Sequence, residues 1–247
     1  MQSHLTHALL AAAALSLVAA PALAIDPITE TFDSGTGGWS GPQGATGSTF
    51  VDGTAGSPAP SLHTQFIDFG ITFRNTSPEW TGDYTANGAF SFTVDFLSTA
   101  VEGLNGPVGR DLVIEFRDFD NVNAGYPYVS VWTDVADITT NSVNGQSGWT
   151  TVGVTVDDPT QTSLPDGWGG YGDEDPDTFE PILPANRTFA DVLASVDEIV
   201  ITTYKPGFFY TSNQYDLSID NPTVSLVPEP GSLSLLGLGA LLLRRRR

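Results

Sequence analysis

The sequence predicts an all-β chain, a sandwich of two antiparallel sheets with one short helix, flanked by a cleaved leader and a short apolar C-terminal helix. Three observations predict it. Residues 25–226 are rich in Gly, Pro, Thr, Ser, Asp and Asn, and their apolar residues fall in short runs with period two. No unit of 20 to 50 residues repeats, which sets aside solenoids and propellers. The chain is 247 residues long without cysteine, and some 200 residues suffice to bury a core without disulfide staples.

In chain order, residues 8–20 are almost all Ala, Leu and Val, and Pro21 leads to Ala22-Leu23-Ala24. Small residues at Ala22 and Ala24 mark a signal peptide cut after Ala24 by signal peptidase, although residues 1–7 carry no Lys or Arg. Residues 62–73 read as a strand. Phe90, Phe92, Val94 and Phe96 alternate with Ser91, Thr93 and Asp95, and Leu112, Ile114 and Phe116 alternate with Glu115 and Arg117. Residues 128–135 and 215–226 read as strands, and Val152, Val154 and Val156 alternate with Thr151, Gly153 and Thr155. Ile199 and Ile201 bracket Val200 in a more fully buried run. The helix is expected over residues 188–196, where Thr188 can cap and Phe189, Val192, Leu193 and Val196 share a face.

Charge narrows the function classes. The chain holds 29 acids and 9 bases, a formal net charge of −20. Without residues 1–24 and 227–247, 28 acids face Arg74, Arg110, Arg117, Arg187 and Lys205, or −23. Such a surface argues against nucleic acid and against electrostatic docking to anionic lipid. The absence of cysteine excludes thiolate catalysis and Cys-ligated metals, and with His4 and His7 in the leader, His63 alone cannot build a multi-histidine zinc site.

The tail reads Val227-Pro228-Glu229-Pro230-Gly231-Ser232, an apolar run over residues 233–243, then Arg244, Arg245, Arg246 and Arg247. That run is shorter than the roughly 20 helical residues a bilayer core needs, so it suits transient insertion, and the arginines keep it oriented with the acidic domain outside. Pro-Glu-Pro, apolar helix and arginine cluster in this order resemble the PEP-CTERM sorting signal. The resemblance implies recognition by an exosortase-type transpeptidase, cleavage near Pro228 to Pro230, and attachment or release at a Gram-negative-type cell surface. The domain plan is then leader 1–24, extracellular sandwich 25–226 and sorting signal 227–247.

A second resemblance spans residues 80–224. Trp80-Thr81-Gly82-Asp83-Tyr84, Asn87-Gly88 with the strand after it, Asp111-Leu112-Val113-Ile114, Ser147-Gly148-Trp149-Thr150, residues 193–204 and Asp216-Leu217-Ser218-Ile219-Asp220-Asn221-Pro222 follow in an order similar to the laminin type IV (laminin B) module. That implies a jelly roll of the galactose-binding type. The acidic stretch 157–180 departs from the family.

For chemistry, a Ser-His-Asp nucleophile would need His63, which lies in a strand-like context, and the chain has no Gly-X-Ser-X-Gly elbow. Asp173-Glu174-Asp175-Pro176-Asp177 starts like an EF-hand, yet Thr178 stands where the turn glycine belongs and Pro184 where the bidentate Glu belongs, so it reads as a solvated loop. A structural calcium ion is the cofactor the composition suits, since hard oxygen donors abound. Glu30, Asp33 and Asp220 are its expected ligands, because jelly rolls bring their termini together. For ligands, Trp168, Tyr171, Phe209 and Tyr210 sit in glycine-rich segments and are the expected sugar-stacking rings, with Phe208 beside them. Trp39, Trp80, Trp132 and Trp149 read as core or sheet-face residues. The chain therefore reads as an exported, surface-sorted, non-catalytic component of the cell surface or polysaccharide matrix, adhesive or glycan-binding. The alternative is a secreted carbohydrate-active hydrolase, which needs just two carboxylates.

Overall fold

The computed structural model describes residues 27–227. In chain order the strands are β1 (Ile28–Thr29), β2 (Trp39–Ser40), β3 (Ser48–Asp52), β4 (Ser61–Asp68), β5 (Thr72–Asn75), β6 (Phe90–Gly103), β7 (Gly106–Pro107) and β8 (Arg110–Asp118). They continue as β9 (Val129–Thr139), β10 (Ser142–Val143), β11 (Thr150–Val156), β12 (Trp168–Tyr171), β13 (Asp173–Glu174) and β14 (Pro181–Ile182), then helix α1 (Phe189–Leu193), β15 (Glu198–Thr202) and β16 (Asn213–Leu226).

Two antiparallel sheets form the sandwich. The first has the order β11-β6-β16-β4-β3, with β1 added to β16 and β7 to β6; the second runs β10-β9-β8-β15-β5-β2, with β12 added to β9. The chain passes repeatedly from one sheet to the other, in jelly-roll manner. The alternation read from the sequence sets the inner faces: Phe90, Phe92, Val94 and Phe96 of β6 and Leu112, Ile114 and Phe116 of β8 are all buried in one core. Rings interlock across the sheets, Phe90 to Phe116 at 5.8 Å and Trp39 to Phe92 at 6.3 Å between centroids. Each buried ring removes a large apolar area from water, the main favourable contribution to folding.

The expected strand over residues 62–73 is two strands in different sheets, which corrects the sequence reading. β4 belongs to the first sheet and β5 to the second, and the chain crosses at Phe69, Gly70 and Ile71. A Cβ at Gly70 would press on the Tyr204 ring. Ile71 donates its N–H to Thr203 Oγ1 at 2.8 Å and accepts from the Thr203 N–H at 2.9 Å, so the crossing is held by a neighbour more than 130 residues away. Sequence periodicity continues through such a crossing because both halves face the same core.

The helix forms where expected but is shorter. Thr188 accepts from the Asp191 N–H while the Asp191 carboxylate accepts from the Thr188 N–H, a reciprocal cap, and Phe189, Val192 and Leu193 are buried. The chain then leaves the helix and Val196 bridges to Gly82, so the apolar face is completed by bridge pairing rather than by another turn.

A recurrent turn device stands out. In Asp52-Gly53-Thr54, Asp83-Tyr84-Thr85 and Asp158-Pro159-Thr160, the first residue's Oδ1 accepts both the N–H and the hydroxyl of the threonine, at 2.6 to 2.9 Å. These bonds hold all three carboxyls below the ordinary aspartate range. A depressed native value means that the stabilisation is present above the unfolded-state value and is lost as the pH falls through the native one. The stability difference between the wild type and a variant carrying Asp52→Asn, Asp83→Asn and Asp158→Asn should therefore shrink from about pH 6 to about pH 3. Denaturant titrations at matched ionic strength measure it; a difference that stays constant or grows on acidification would sink the assignment.

Candidate functional site

The four expected rings part company. Trp168 lies in β12 with its ring stacked on Phe116 at 6.2 Å and edge-on to Phe189 at 5.0 Å, packed against the core. That corrects its reading as a ligand ring: the glycines after it do not make a loop but a strand, paired to β9 through Gly169 and Trp132. Gly169 is required there because a Cβ would overlap the Trp132 indole. Tyr171 is half-buried between Tyr126 at 5.4 Å and Tyr128 at 5.1 Å. The Tyr210 ring is capped by the Arg110 guanidinium at 4.9 Å, while Phe209 is 92% exposed and stands 6.2 Å from the half-exposed Phe69 ring.

The outer face of the second sheet is closed. Val113, Glu115, Trp132 and Val200 are buried although their side chains lie outside the inter-sheet core cluster. Arg117 donates to Glu115 Oε2 at 2.6 Å and to Glu198 Oε2 at 2.9 Å, Ser130 donates to Glu115 Oε1 at 2.6 Å, and the Tyr128 ring covers the guanidinium at 4.2 Å. Burial alone would favour neutral Arg117; the two carboxylates outweigh it and hold its pKa above the ordinary arginine value. Lys205 binds Asp134 and lies over the rings of Trp132 at 5.4 Å and Phe208 at 5.2 Å, fastening the β15–β16 loop across the same face.

The outer face of the first sheet is open. Strand pairing aligns Phe50, His63 and Ser218 in one row, Ser48, Gln65 and Asp216 in the next, and Ile67 with Gln214 in a third. His63 Nδ1 lies 2.8 Å from Ser218 Oγ, its Nε2 is 3.7 Å from Asp216 Oδ1, and Gln65 Nε2 donates to Asp216 Oδ2 at 2.8 Å. The Phe50 ring tilts on the imidazole at 5.2 Å and is 47% exposed, and Ile67 is 49% exposed. Continuing along β4, Phe69 and Phe209 extend the strip beyond the sheet end. At ~3.3 Å per residue the span from His63 to Phe69 is about 20 Å. Rings and an aliphatic side chain thus alternate with fixed hydrogen-bonding groups. Of these, sequence reasoning found Phe209. It weighed His63 as a nucleophile's partner and missed Phe50, Gln65 and Asp216; the signal was His63's outward position between Leu62 and Thr64.

The proposed ion ligands do not assemble. Glu30 Oε1 accepts from the Phe32 N–H at 2.6 Å, and Asp220, fully buried, accepts from the N–H groups of Ser57 at 2.5 Å and Asn221 at 2.8 Å. Burial raises the Asp220 pKa, those two donors oppose the rise, and Asp95 and Asp33 add to it. Its oxygens face backbone donors, and among the described residues no group of three or more His, Cys, Asp or Glu is arranged to hold a metal ion, so Glu30, Asp33 and Asp220 form no such set. In the acidic loop, Asp175 Oδ1 accepts from the N–H groups of Asp177 and Thr178, a turn rather than an ion loop. A polar cleft lined by Asp118, Asp120, Asn186, Arg187 and Asp191 has its cation engaged by Asp118 and the Asp120 carbonyl.

Ala22, Ala24, Pro228, Glu229, Pro230 and Arg244, Arg245, Arg246 and Arg247 lie outside the described residues, as does the apolar run between the last two groups. Among the described residues no helix is long and apolar enough to cross a membrane.

Residues 226–247 match the PEP-CTERM protein-sorting motif, which marks an exported, surface-sorted protein. No curated protein matches the chain. Among solved structures, the chain is similar to a family 11 carbohydrate-binding module of a cellulosomal cellulase of Clostridium thermocellum, at 13% identity and TM-score 0.47, over 83% of this chain and 96% of that one. The family 11 module of the same organism in complex with a β-1,3-1,4-mixed-linked tetrasaccharide gives 14% identity and TM-score 0.44 over 81% and 95%. The carbohydrate-binding and hydrolase modules of an endo-1,4-β-D-xylanase of that organism, complexed with xylohexaose, give 11% and 0.45 over 81% of this chain and 28% of that one. At such identities and TM-scores no ligand or activity transfers from them.

Proposed function

We propose that the protein is an exported, non-catalytic module that binds extracellular polysaccharide on the open face of its first sheet and serves as an adhesive or structural component of the cell surface or matrix. The observation that carries this reading is the strip of Phe50, Ile67, Phe69 and Phe209 interleaved with His63, Gln65 and Asp216. Sugars present apolar ring faces edged by hydroxyls, and exposed rings beside fixed donors and acceptors complement both. Gln65 holding Asp216 and Ser218 holding His63 leave the polar groups pre-positioned, which lowers the ordering cost of binding.

The test is affinity electrophoresis and a glycan array with the processed protein and its Phe50→Ala, Asp216→Ala and Trp168→Phe variants. The first two should each weaken binding roughly tenfold, ~1.4 kcal/mol, with melting temperature unchanged for Phe50→Ala. Trp168→Phe, altered in the core, should leave binding intact. Binding that survives Phe50→Ala and Asp216→Ala, or no binding to any glycan, overturns the reading. So would release of reducing ends that one carboxylate substitution abolishes.

A further inference from the structure

The first sheet ends on β11, whose one strand neighbour is β6. Its outer N–H and C=O groups therefore form an unpaired edge, the kind of surface that proteins ordinarily blunt with short strands, lysine, proline or charge. The other edges among the described residues are blunted in these ways. β3 ends in Asp52, β2 and β10 are two residues long, and β12 is four residues with two adjacent glycines. β11 has none of these devices. It runs Thr150-Thr151-Val152-Gly153-Val154-Thr155-Val156, uncharged in a chain where acids are otherwise frequent, and without Pro.

Its sequence is also a palindrome about Gly153, since Thr151-Val152-Gly153-Val154-Thr155 reads the same in both directions. Two copies meeting edge to edge around a two-fold axis at Gly153 must run antiparallel, with Val152 opposite Val154 and Thr151 opposite Thr155. Like would meet like on both faces: valines on the core side, where Val152 is buried and Val154 partly exposed, and threonines on the outer side. The acids that follow the strand, Asp157 and Asp158, would oppose Trp149 and Gly148 rather than each other. Gly153 itself is required within the subunit, because a Cβ there would overlap the Phe92 carbonyl oxygen of β6.

We infer that β11 is a self-association edge through which two copies of this chain pair antiparallel about Gly153, joining their first sheets into one continuous sheet. The contact is isologous, so it closes at two copies and leaves no further β11 edge free. The charge of −23 per copy opposes approach and is screened by salt, so the dimer fraction rises with ionic strength. The outer faces of the two first sheets would then lie on the same side of one extended sheet, with the two clusters of Phe50, His63 and Asp216 towards its opposite ends, so that only a long polymer could span both.

Because the chain has no cysteine, introduced thiols report the register without background. Processed protein carrying Thr151→Cys is mixed with protein carrying Thr155→Cys under mild oxidation and read on a non-reducing gel. Residues opposite one another on antiparallel strands lie within disulfide reach, whereas positions four apart along a strand are separated by about 13 Å. The mixture should therefore cross-link to dimers, and each single variant alone should not. Sedimentation of the unmodified protein should show a dimer that grows with concentration and with added sodium chloride. A monomer under every condition overturns the inference, and so does a dimer whose mixed variants fail to cross-link, since the contact would then lie elsewhere. Melting temperatures of the two variants equal to wild type establish that the fold is intact in either case.

Discussion

Replacing Arg117 by alanine is expected to destabilise the sandwich by about 3–5 kcal/mol, the cost of leaving buried charge uncompensated. Glu115 and Glu198 are nearly fully buried, and the Arg117 guanidinium between them is the group that neutralises both at close range, Arg74 lying 3.9 Å from Glu198 but being largely exposed. Without it, two carboxylates are left in a dry layer under Tyr128 with no buried cation beside them. That supplies the distinguishing comparison: the loss comes from unpaired buried charge, so removing the carboxylate charges as well should reverse it. Glu115→Gln with Arg117→Met and Glu198→Gln removes the charges together and should recover much of the loss. Urea titrations of the single and triple variants at about pH 7 measure these differences. A loss below ~1 kcal/mol for Arg117→Ala, the level of an exposed pair, would show that the layer is wetter than the covering rings imply.

The second large effect belongs to Phe116. It is fully buried and meets Tyr84 at 5.6 Å, Phe90 at 5.8 Å, Trp168 at 6.2 Å and Phe92 at 6.5 Å, rings contributed by β6 of the first sheet, by β12 of the second and by the loop before β6. Phe116→Ala should cost about 3–5 kcal/mol, a transfer term plus the cavity that these stiff neighbours cannot fill. For a domain of this size that lowers the melting temperature by roughly 10 °C or more. Phe116→Leu should lose distinctly less, and a near-equal loss for both would mean that ring contacts rather than volume decide the site.

These two residues show how far the sequence carries. Period two in β8 assigned Phe116 to the core, because a residue whose neighbours at i−2 and i−4 are Ile114 and Leu112 has one face to share with them. The same alternation put Glu115 and Arg117 on the opposite face, which is correct, and that implied contact with water, which is not. Alternation fixes the side on which a side chain lies and is silent on what covers that side. The cover is supplied by Tyr128 and Trp132, from just before and within β9, and by the loop after β15, whose Lys205 anchor is a surface charge in any local reading.

The rings repeat the lesson. Trp168 and Phe209 both sit beside glycines, and local composition treats them alike. Only pairing to β9, which Gly169 permits by leaving room for the Trp132 indole, turned one into core, whereas Phe209 had no strand to join and stayed 92% exposed. In the same way residues 62–73 show one continuous pattern in the sequence, while the crossing at Gly70 depends on Thr203.

What the sequence by itself determined is whatever local stereochemistry and order along the chain encode: the inner faces of β6, β8 and β11, the cap at Thr188 and the sorting motif over residues 226–247. What the tertiary structure decided is which outward face stays open. The first sheet leaves Phe50, Gln65 and Ile67 exposed with His63 and Asp216 partly buried between them, and the second is roofed by its own loops, a difference made by long-range packing, since burial of a face depends on what folds over it and not on the residues that compose it.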